Sequence, residues 1–413
     1  MRILHTSDWH LGKTLEGHDR HDEQVRFCDN LIDIVEENQV DLVLVAGDIY
    51  DSYNPPSSAE TLFYRTIERL AKGGKRPVFI IAGNHDNPDR LESVKPLVEG
   101  LGITILGYPK SQASMGSYRG FSIEEAQPGF TKLAIGGQKI NIISLPYPSE
   151  KRLNDAFEEV GEINEMQETY TKRIGRIFKD LEDHYRDDEI NIALSHIFVV
   201  GSAISDSERR IELGGSLLVE KTDLPARSQY TALGHIHKRG EGQFGSIRYA
   251  YPGCLQGRGF DEEGEKGFFY LEVNEETKEI QTEFIPIKEG EFRILELELC
   301  EEDDSLSALE KIEEKIKEEA CTEKDSLRIL LKGEKSPEGE RNLRYLERAL
   351  SERFSYVEVK EESRLVLRKE DYIHEKSLKG EFLRMVSDSE SLSEEEKEKI
   401  ILLGIGLLQG EEL

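Results

Sequence analysis

Apolar positions along the first part of the chain switch between two periods. Short apolar, β-rich runs at Arg2–Ser7, Val40–Val45, Pro77–Ile81 and Ile103–Gly107 predict buried strands. Between them, Val25, Cys28, Leu31, Ile32 and Val35 recur at helical spacing. After the breaker Pro55-Pro56, Ala59, Leu62, Phe63, Thr66, Ile67 and Leu70 do the same. Strand–helix alternation of this kind predicts a largely buried sheet with helices packed on it. Further on, Lys139–Leu145 predicts a strand, and Ile163, Met166, Tyr170, Ile174, Ile177 and Leu181 lie on one helical face. Buried strands follow at 190–195 and 230–234. The runs RYAYP, GFFYLEV, IQTEFIPI and FRILELEL then succeed one another without helices. They predict a second sheet stacked on the first, with helices outside both.

From Glu291 the pattern changes to β-α-β-α-β-β, which predicts a small separate α+β domain. The tail is helical and acidic, with apolar Leu378, Phe382, Leu383 and Val386, and then IILLGIGLL at 400–408. Ser393, followed by Glu394, Glu395 and Glu396, is a helix N-cap candidate. The terminal apolar run is far shorter than the ~20 residues that span a bilayer, so a membrane-spanning protein is not expected. The expected divisions are 1–290, 291–370 and a helical tail at 371–413.

Composition narrows the class. The chain has 413 residues, 37% hydrophobic and 33% charged, and fits a globular protein on the polar side of average. Its net charge is −29, with −16 over residues 1–290 and −13 over 291–413. That argues against a protein coating DNA by bulk charge, because phosphate contacts need local Lys and Arg. A focused basic rim, or a metal site carrying its own positive charge, stays open. Cys28, Cys254, Cys300 and Cys321 are scattered with no CxxC pair. That argues against a thiolate zinc site and a disulfide framework, and the chain reads as cytoplasmic. The first residues run straight into a strand, with no signal-peptide pattern before it.

Five short motifs stand at the ends of apolar strands. They are Asp8-Trp9-His10, Gly47-Asp48-Ile49-Tyr50-Asp51, Gly83-Asn84-His85-Asp86, Ser195-His196 and Gly234-His235-Ile236-His237. Ligands bind at strand ends in parallel sheets. In extended backbone, residues i and i+2 point the same way, so Asp8 with His10 and His235 with His237 can each act as a pair. Each motif alone recurs by chance, but five in order after buried strands point to one site. Asp8, His10, Asp48, Asn84, His196, His235 and His237 are seven N/O ligands, too many for one tetrahedral ion. They suit two cations sharing a bridging carboxylate, ~3.5–4 Å apart. Imidazole and carboxylate without thiolate fit Mn, Fe or Zn better than Ca.

The motif series D-x-H, G-D-x-x-D, G-N-H-D, H and G-H-x-H resembles the calcineurin-like metallophosphoesterases over residues 1–290. The resemblance implies an α/β fold, a four-layer αββα sandwich. It implies one metal held by Asp8, His10, Asp48 and His237, and a second held by Asp48, Asn84, His196 and His235. His85 would then be the unligated catalytic histidine beside the scissile phosphate. Asp51 sits where many relatives place the carboxylate that orients it. The implied cofactors are two divalent ions, Mn²⁺ first, with Mg²⁺, Fe²⁺ or Zn²⁺ as alternatives.

The stretches HTSDWHLGKTLEGHDRHDEQ, AGDIYDSYNPPSSAE, SHIFVVGSAISDSERRIELGG and YPGCLQGRGFDEEGEKGF resemble the bacterial DNA-nuclease branch of that family. That implies exonuclease action on duplex ends and endonuclease action on single strands or hairpins. It also implies DNA and an SMC-like ATPase subunit as partners, in a heterotetramer built on a nuclease homodimer. Residues 291–370 would cap the DNA and the tail would grip the ATPase. The acidity of the chain shifts more of the DNA grip onto that partner. A stand-alone phosphatase is the competing reading, though it has no need of the last third of the chain. A scaffold with a vestigial site is the other, and the intact ligand set argues against it. Lys13, Arg20, Arg209, Arg210, Lys238, Arg239 and Arg258 cluster near the motifs as a candidate phosphate rim. Trp9 reads as a packed wall of the site rather than a base-stacking platform.

Overall fold

The protein is described by a computed structural model covering residues 1–157, 170–201, 218–257, 259, 260, 262, 265–287, 290–335, 341–365, 377–389, 391–393, 396, 397, 399–401, 403 and 404. It divides into two compact units, Met1–Glu289 and Gly290–Leu413.

The first unit begins β1 (Arg2–Thr6), α1 (His21–Glu37), β2 (Leu42–Val45), α2 (Ser57–Ala71) and β3 (Val78–Ile81). Two short helices, α3 (Pro88–Glu92) and α4 (Lys95–Val98), lead to β4 (Ile103–Leu106). A meander follows: β5 (Gly116–Ser117), β6 (Phe121–Gln127), β7 (Phe130–Ile135) and β8 (Gln138–Leu145). Then come α5 (Glu150–Phe157), α6 (Tyr170–Glu182), β9 (Ile190–His196), β10 (Phe198–Val199) and β11 (Leu218–Val219). The unit ends with β12 (Tyr230–Gly234), β13 (Gly240–Phe244), β14 (Ile247–Tyr251), β15 (Gly267–Val273) and β16 (Ile280–Pro286).

Two sheets result. One has the order β16-β15-β1-β2-β3-β4, with β1 to β4 parallel and β15 antiparallel to β1. The other has the order β13-β14-β12-β9-β8-β7-β6-β5, with a parallel centre of β14, β12, β9 and β8. Ile3, Leu44, Phe79 and Ile81 of the first sheet share one core with Ile142, Ile192, Leu194 and Tyr230 of the second, so the sheets stack face to face. On the outside of the first sheet, Phe27, Leu31 and Val35 of α1 and Phe63, Ile67 and Leu70 of α2 meet Val43, Val45 and Ile80. On the outside of the second, Leu153 of α5 and Ile174 and Phe178 of α6 meet Ile143 and Ala193. These are the four layers, helix–sheet–sheet–helix. The central strands dictate them: β1 to β4, β8, β9 and β12 are buried along most of their length and need cover on both faces.

Three sequence expectations change. GFFYLEV and IQTEFIPI do not extend the second sheet; as β15 and β16 they return to the edge of the first. FRILELEL belongs to the second unit. The stretch before Lys139 holds β5 to β7, whose mixed polar pattern and a bulge at Ile123/Glu125 hide the strand period. Ile163 and Met166 lie outside the described residues, and the described helix begins at Tyr170.

The second unit is β17 (Phe292–Leu299), α7 (Ser305–Glu318), β18 (Ser326–Lys335), α8 (Leu343–Ser351), β19 (Tyr356–Glu361), β20 (Arg364–Leu365) and α9 (Leu378–Ser387). β17, β18 and β19 run parallel, consecutive strands being joined through a helix. Asp304 caps α7 by accepting from the Leu306 and Ser307 N–H groups, and Asn342 caps α8 through Tyr345 N–H. Ile312, Ile316, Ile329, Leu331, Leu346 and Leu350 form its core. In the tail, Leu383, Val386 and Ile401 make a small cluster of their own, while Leu378, Met385 and Leu403 are exposed. Ser393 and Glu396 cap each other reciprocally, the Ser393 N–H donating to Glu396 Oε2 at 2.9 Å. Among the described residues, no helix is long and apolar enough to cross a membrane.

Candidate metal centre

The C-terminal ends of the parallel strands of both sheets open at one edge of the sandwich. β1, β2 and β3 deliver Asp8 and His10, Asp48, and Asn84; β9 and β12 deliver His196, and His235 and His237. The loops after β1 and β2 are bonded together. Asp8 N–H donates to the Gly47 carbonyl at 3.0 Å, His10 N–H to the Asp48 carbonyl at 3.1 Å and Leu11 N–H to Ile49 at 2.9 Å.

Asp8, His10, Asp48 and His235 have φ of 51°, 45°, 49° and 98°. Left-handed backbone at non-glycine residues costs about 1–3 kcal/mol each and gathers at functional sites. Two glycines make the approach possible. A Cβ on Gly47, itself at φ 90°, would sit 2.4 Å from His196 Nδ1. A Cβ on Gly83 would sit 2.1 Å from Asp48 Oδ1.

Asp8, His10, Asp48 and His237 each offer a ligand atom, all within 4.8 Å of one another, and all four are buried. His10 Nε2 and His237 Nε2 face each other at 3.1 Å. A proton on one nitrogen could bridge the pair as an N–H···N hydrogen bond, and a cation could take both lone pairs. Beside this group, Asn84 Oδ1 lies 2.9 Å from His196 Nε2 and 2.8 Å from His235 Nδ1. Asp48 Oδ2 stands between the groups, 3.8 Å from His10 Nε2 and 3.5 Å from His196 Nε2. All seven sequence-predicted ligand candidates therefore converge, in two sets that share Asp48. The donors are imidazole, carboxylate and amide oxygen, a set that fits divalent cations of the Mn, Fe or Zn type.

Electrostatics follow from burial and these contacts. Burial pushes Asp8 up to about 6 against the pull of His196 and His237. Burial acts the same way on Asp48, but the His196, His10 and His85 imidazoles outweigh it and hold Asp48 well below the usual carboxylate range. Burial opposes a proton on His196, yet Asp48, Asp8 and the Ala46 carbonyl raise it to about 9. Burial, with His196 beside it, lowers His235 to about 3.

His85 is oriented otherwise than expected. Its backbone N–H donates to Asp48 Oδ1 at 2.8 Å, and its ring Nδ1 lies 2.8 Å from the backbone carbonyl oxygen of Asp51. The Asp51 carboxylate has Oδ1 3.7 Å from His10 Nδ1 and 3.6 Å from Lys13 Nζ, and it shares with His10 and His85 a cluster whose ligand atoms lie within 4.8 Å of one another. The hydrogen bond at His85 Nδ1 is made by the Asp51 peptide carbonyl rather than its carboxylate, because the turn after β2 brings main chain to the ring. Arg20 also leaves the candidate rim. It is buried, donates to the Gly257 carbonyl at 2.7 Å and pairs with Glu23. Arg239 lies over the Phe284 ring and pairs with Glu241 and Glu265. Lys238 is exposed. Arg209, Arg210 and Arg258 lie outside the described residues. Trp9 is buried, its Nε1 donating to Thr6 Oγ1 at 2.9 Å.

Three supporting residues had no place in the sequence reading. Asp86, the last residue of the Gly83-Asn84-His85-Asp86 motif, accepts from Ile49 N–H (3.1 Å), Tyr50 N–H (3.0 Å) and Gly83 N–H (2.8 Å). It ties the β2 and β3 loops together. Its position in the motif was the available signal. Arg152 of α5 donates to the carbonyls of Gly83 and Asp86, both at 3.0 Å, and stacks on Tyr147, which lines the site beside His235. Glu262 accepts from His237 Nδ1 at 3.0 Å. Neither Arg152 nor Glu262 carries a local pattern that marks it.

The calcineurin-like phosphoesterase family model matches residues 1–239, more than half of the chain, and the chain belongs to that family. The D subunit of the nuclease SbcCD from Bacillus subtilis is 42% identical over 238 residues, which are 58% of this chain and 57% of that protein. The match thus spans little more than half of the relative's length. Among solved structures, a Thermus thermophilus protein aligns with 68% of this chain and 98% of its own at 12% identity and a TM-score of 0.36. A dimetal phosphatase from Danio rerio aligns with 68% and 98% at 12% identity and a TM-score of 0.37.

Proposed function

We propose that the protein is a two-metal DNA nuclease, the nuclease component of an SbcCD-like complex that works with an SbcC-like SMC-type ATPase. Asp48 carries this reading: one carboxylate oxygen faces a nitrogen ligand of each set. Asp8, His10, Asp48 and His237 would hold one cation, and Asp48, Asn84, His196 and His235 the other. When bound, two such cations supply hydroxide near neutral pH and neutralise the non-bridging oxygens of a phosphodiester. Asp8 is held for that task by the His235 N–H, which lies 3.1 and 3.2 Å from its two oxygens. With Nδ1 engaged by the Asp51 carbonyl, His85 keeps Nε2 for the leaving oxygen, as a general acid. Lys13 and Lys238 supply positive charge to the phosphate backbone.

The second unit and the tail extend the reading. Residues 291–370 would cap DNA. The exposed Leu378, Met385 and Leu403 would meet the ATPase, since a helical tail with apolar residues outward asks for a cover. Assembly as a nuclease dimer inside a heterotetramer, a cytoplasmic location and Mn²⁺ as the working ion belong to the same proposal. The deciding experiment incubates the purified chain with linear duplex DNA and with a DNA hairpin, in Mn²⁺ and in chelator, with and without the ATPase. Metal-dependent end degradation and hairpin opening are expected. Turnover of phosphomonoesters with both DNAs left intact would instead establish the phosphatase.

A further inference from the structure

The Nδ1 atoms of three imidazoles of the centre meet different groups, while His10 Nδ1 lies 3.7 Å from the Asp51 carboxylate. His196 Nδ1 lies 2.7 Å from the Ala46 backbone carbonyl, a neutral partner. His235 turns Nδ1 to the Asn84 amide oxygen. His237 has a carboxylate: its Nδ1 lies 3.0 Å from Glu262 Oε1, and both residues are buried. The other oxygen, Oε2, accepts from the buried Cys254 Sγ at 3.1 Å, and Lys266 Nζ donates to that sulfur at 3.2 Å. Glu262 sits in the connection between β14 and β15, where the chain leaves one sheet for the other. It lies 25 residues after His237, so only the fold brings the two together.

We infer that Glu262 is the positioning residue of His237, and that it makes the Asp8/His10/Asp48/His237 set the tighter of the two cation sites. For His237 Nε2 to present a lone pair, its proton must sit on Nδ1, and an acceptor at 3.0 Å holds it there. A carboxylate in that place also raises the basicity of the ligating nitrogen and fixes the ring plane. The Cys254 thiol holds the carboxylate in turn, so Glu262 cannot swing away without losing a second hydrogen bond. The other set offers a neutral amide oxygen and an imidazole backed by a peptide carbonyl. Its own charge comes from the shared Asp48 alone, whereas the first set adds Asp8 and has Glu262 behind it.

The inference rests on the two-cation reading, and one experiment separates them. The full chain is stripped with chelator and titrated with Mn²⁺, free Mn²⁺ being read by electron paramagnetic resonance. Wild type should bind in two steps. Glu262→Ala should weaken the tighter step by about 10–100-fold and leave the weaker one in place. Glu262→Gln keeps an oxygen for the His237 N–H and loses only the charge, so its tighter step should weaken by less than the alanine variant's. Melting of the metal-free proteins tests folding. If the alanine variant does not fold, the glutamine variant decides. Unchanged steps in every folded variant, or weakening of the looser step alone, overturn the role of Glu262. Wild-type protein that binds no Mn²⁺ removes the two-cation reading itself.

Discussion

His85 Nδ1 lies 2.8 Å from the main-chain oxygen of Asp51, while the Asp51 carboxylate points to Lys13 and His10. A side chain that looks by position like the partner of a catalytic imidazole thus supplies its backbone instead. Asp51→Asn leaves that carbonyl in place. Metal-dependent phosphodiester hydrolysis by this variant should stay within about tenfold of wild type. His85→Gln should keep both cations and lose turnover by about 10²–10⁴-fold. Steady-state kinetics with parallel metal analysis check both. An Asp51→Asn loss as deep as that of His85→Gln would return the carboxylate to the mechanism.

Gly83→Ala should empty the centre without touching a ligand. The added methyl meets Asp48 Oδ1 at 2.1 Å, so the shared carboxylate must move. Overpacking of this kind costs about 1–3 kcal/mol. Metal content after dialysis should fall for both sets together, because Asp48 serves both. Retention of two equivalents would show that the loop gives way instead.

Metal loading should depend on pH through His196. Its pKa is raised to about 9, so below that pH a proton occupies the ring and competes with a cation. Affinity should rise as pH goes from 6.5 toward 9, with proton release on binding. Titration calorimetry in buffers of different ionisation enthalpy measures the protons. Binding that is flat with pH would place the proton elsewhere.

In the second unit, Asp303 accepts from the Cys300 N–H at 2.8 Å and from Lys311. Burial opposes its charge, but these donors prevail and hold the carboxyl below its usual range. A lowered folded-state pKa adds stability above the ordinary carboxylate pKa, and that stability drains away as pH falls toward the folded value. Asp303→Asn should therefore cost about 1–2 kcal/mol at pH 7, and the deficit should shrink in acid. Hydrogen exchange of the Ser326–Lys335 amides reports this locally. A deficit that persists unchanged in acid would point to packing rather than charge.

The parts of the fold legible in the sequence were those with strong period. The parallel strands β1 to β4, β8, β9 and β12 are short apolar-rich runs, and α1 and α2 carry clear apolar faces. The seven ligand candidates were legible because each follows such a run. The Asp51 contact was not, since no side-chain pattern reports which main-chain oxygen a turn presents. Arg20 lies near the motifs in sequence, but its burial against the Gly257 carbonyl depends on a segment more than two hundred residues away. Glu262 hid in an acidic stretch, DEEGE, where nothing distinguishes a buried carboxylate from a solvated one. β15 and β16 were recognisable as strands, but their sheet was not, because pairing with β1 is decided by topology rather than by apolar period.

The first sheet contributes Asp8, His10, Asp48 and Asn84, and the second contributes His196, His235 and His237. Each set of candidate ligands draws on both. A cation bound in either would thus be a clasp across the seam of the sandwich, fastening two sheets already joined there by packing and by hydrogen bonds such as His235 N–H to Asp8 and His196 Nδ1 to the Ala46 carbonyl. Metal would then serve architecture as well as chemistry. Every increment of binding energy would favour the closed seam over the parted one, and the resistance of the unit to heat would rise with the logarithm of the free metal around it.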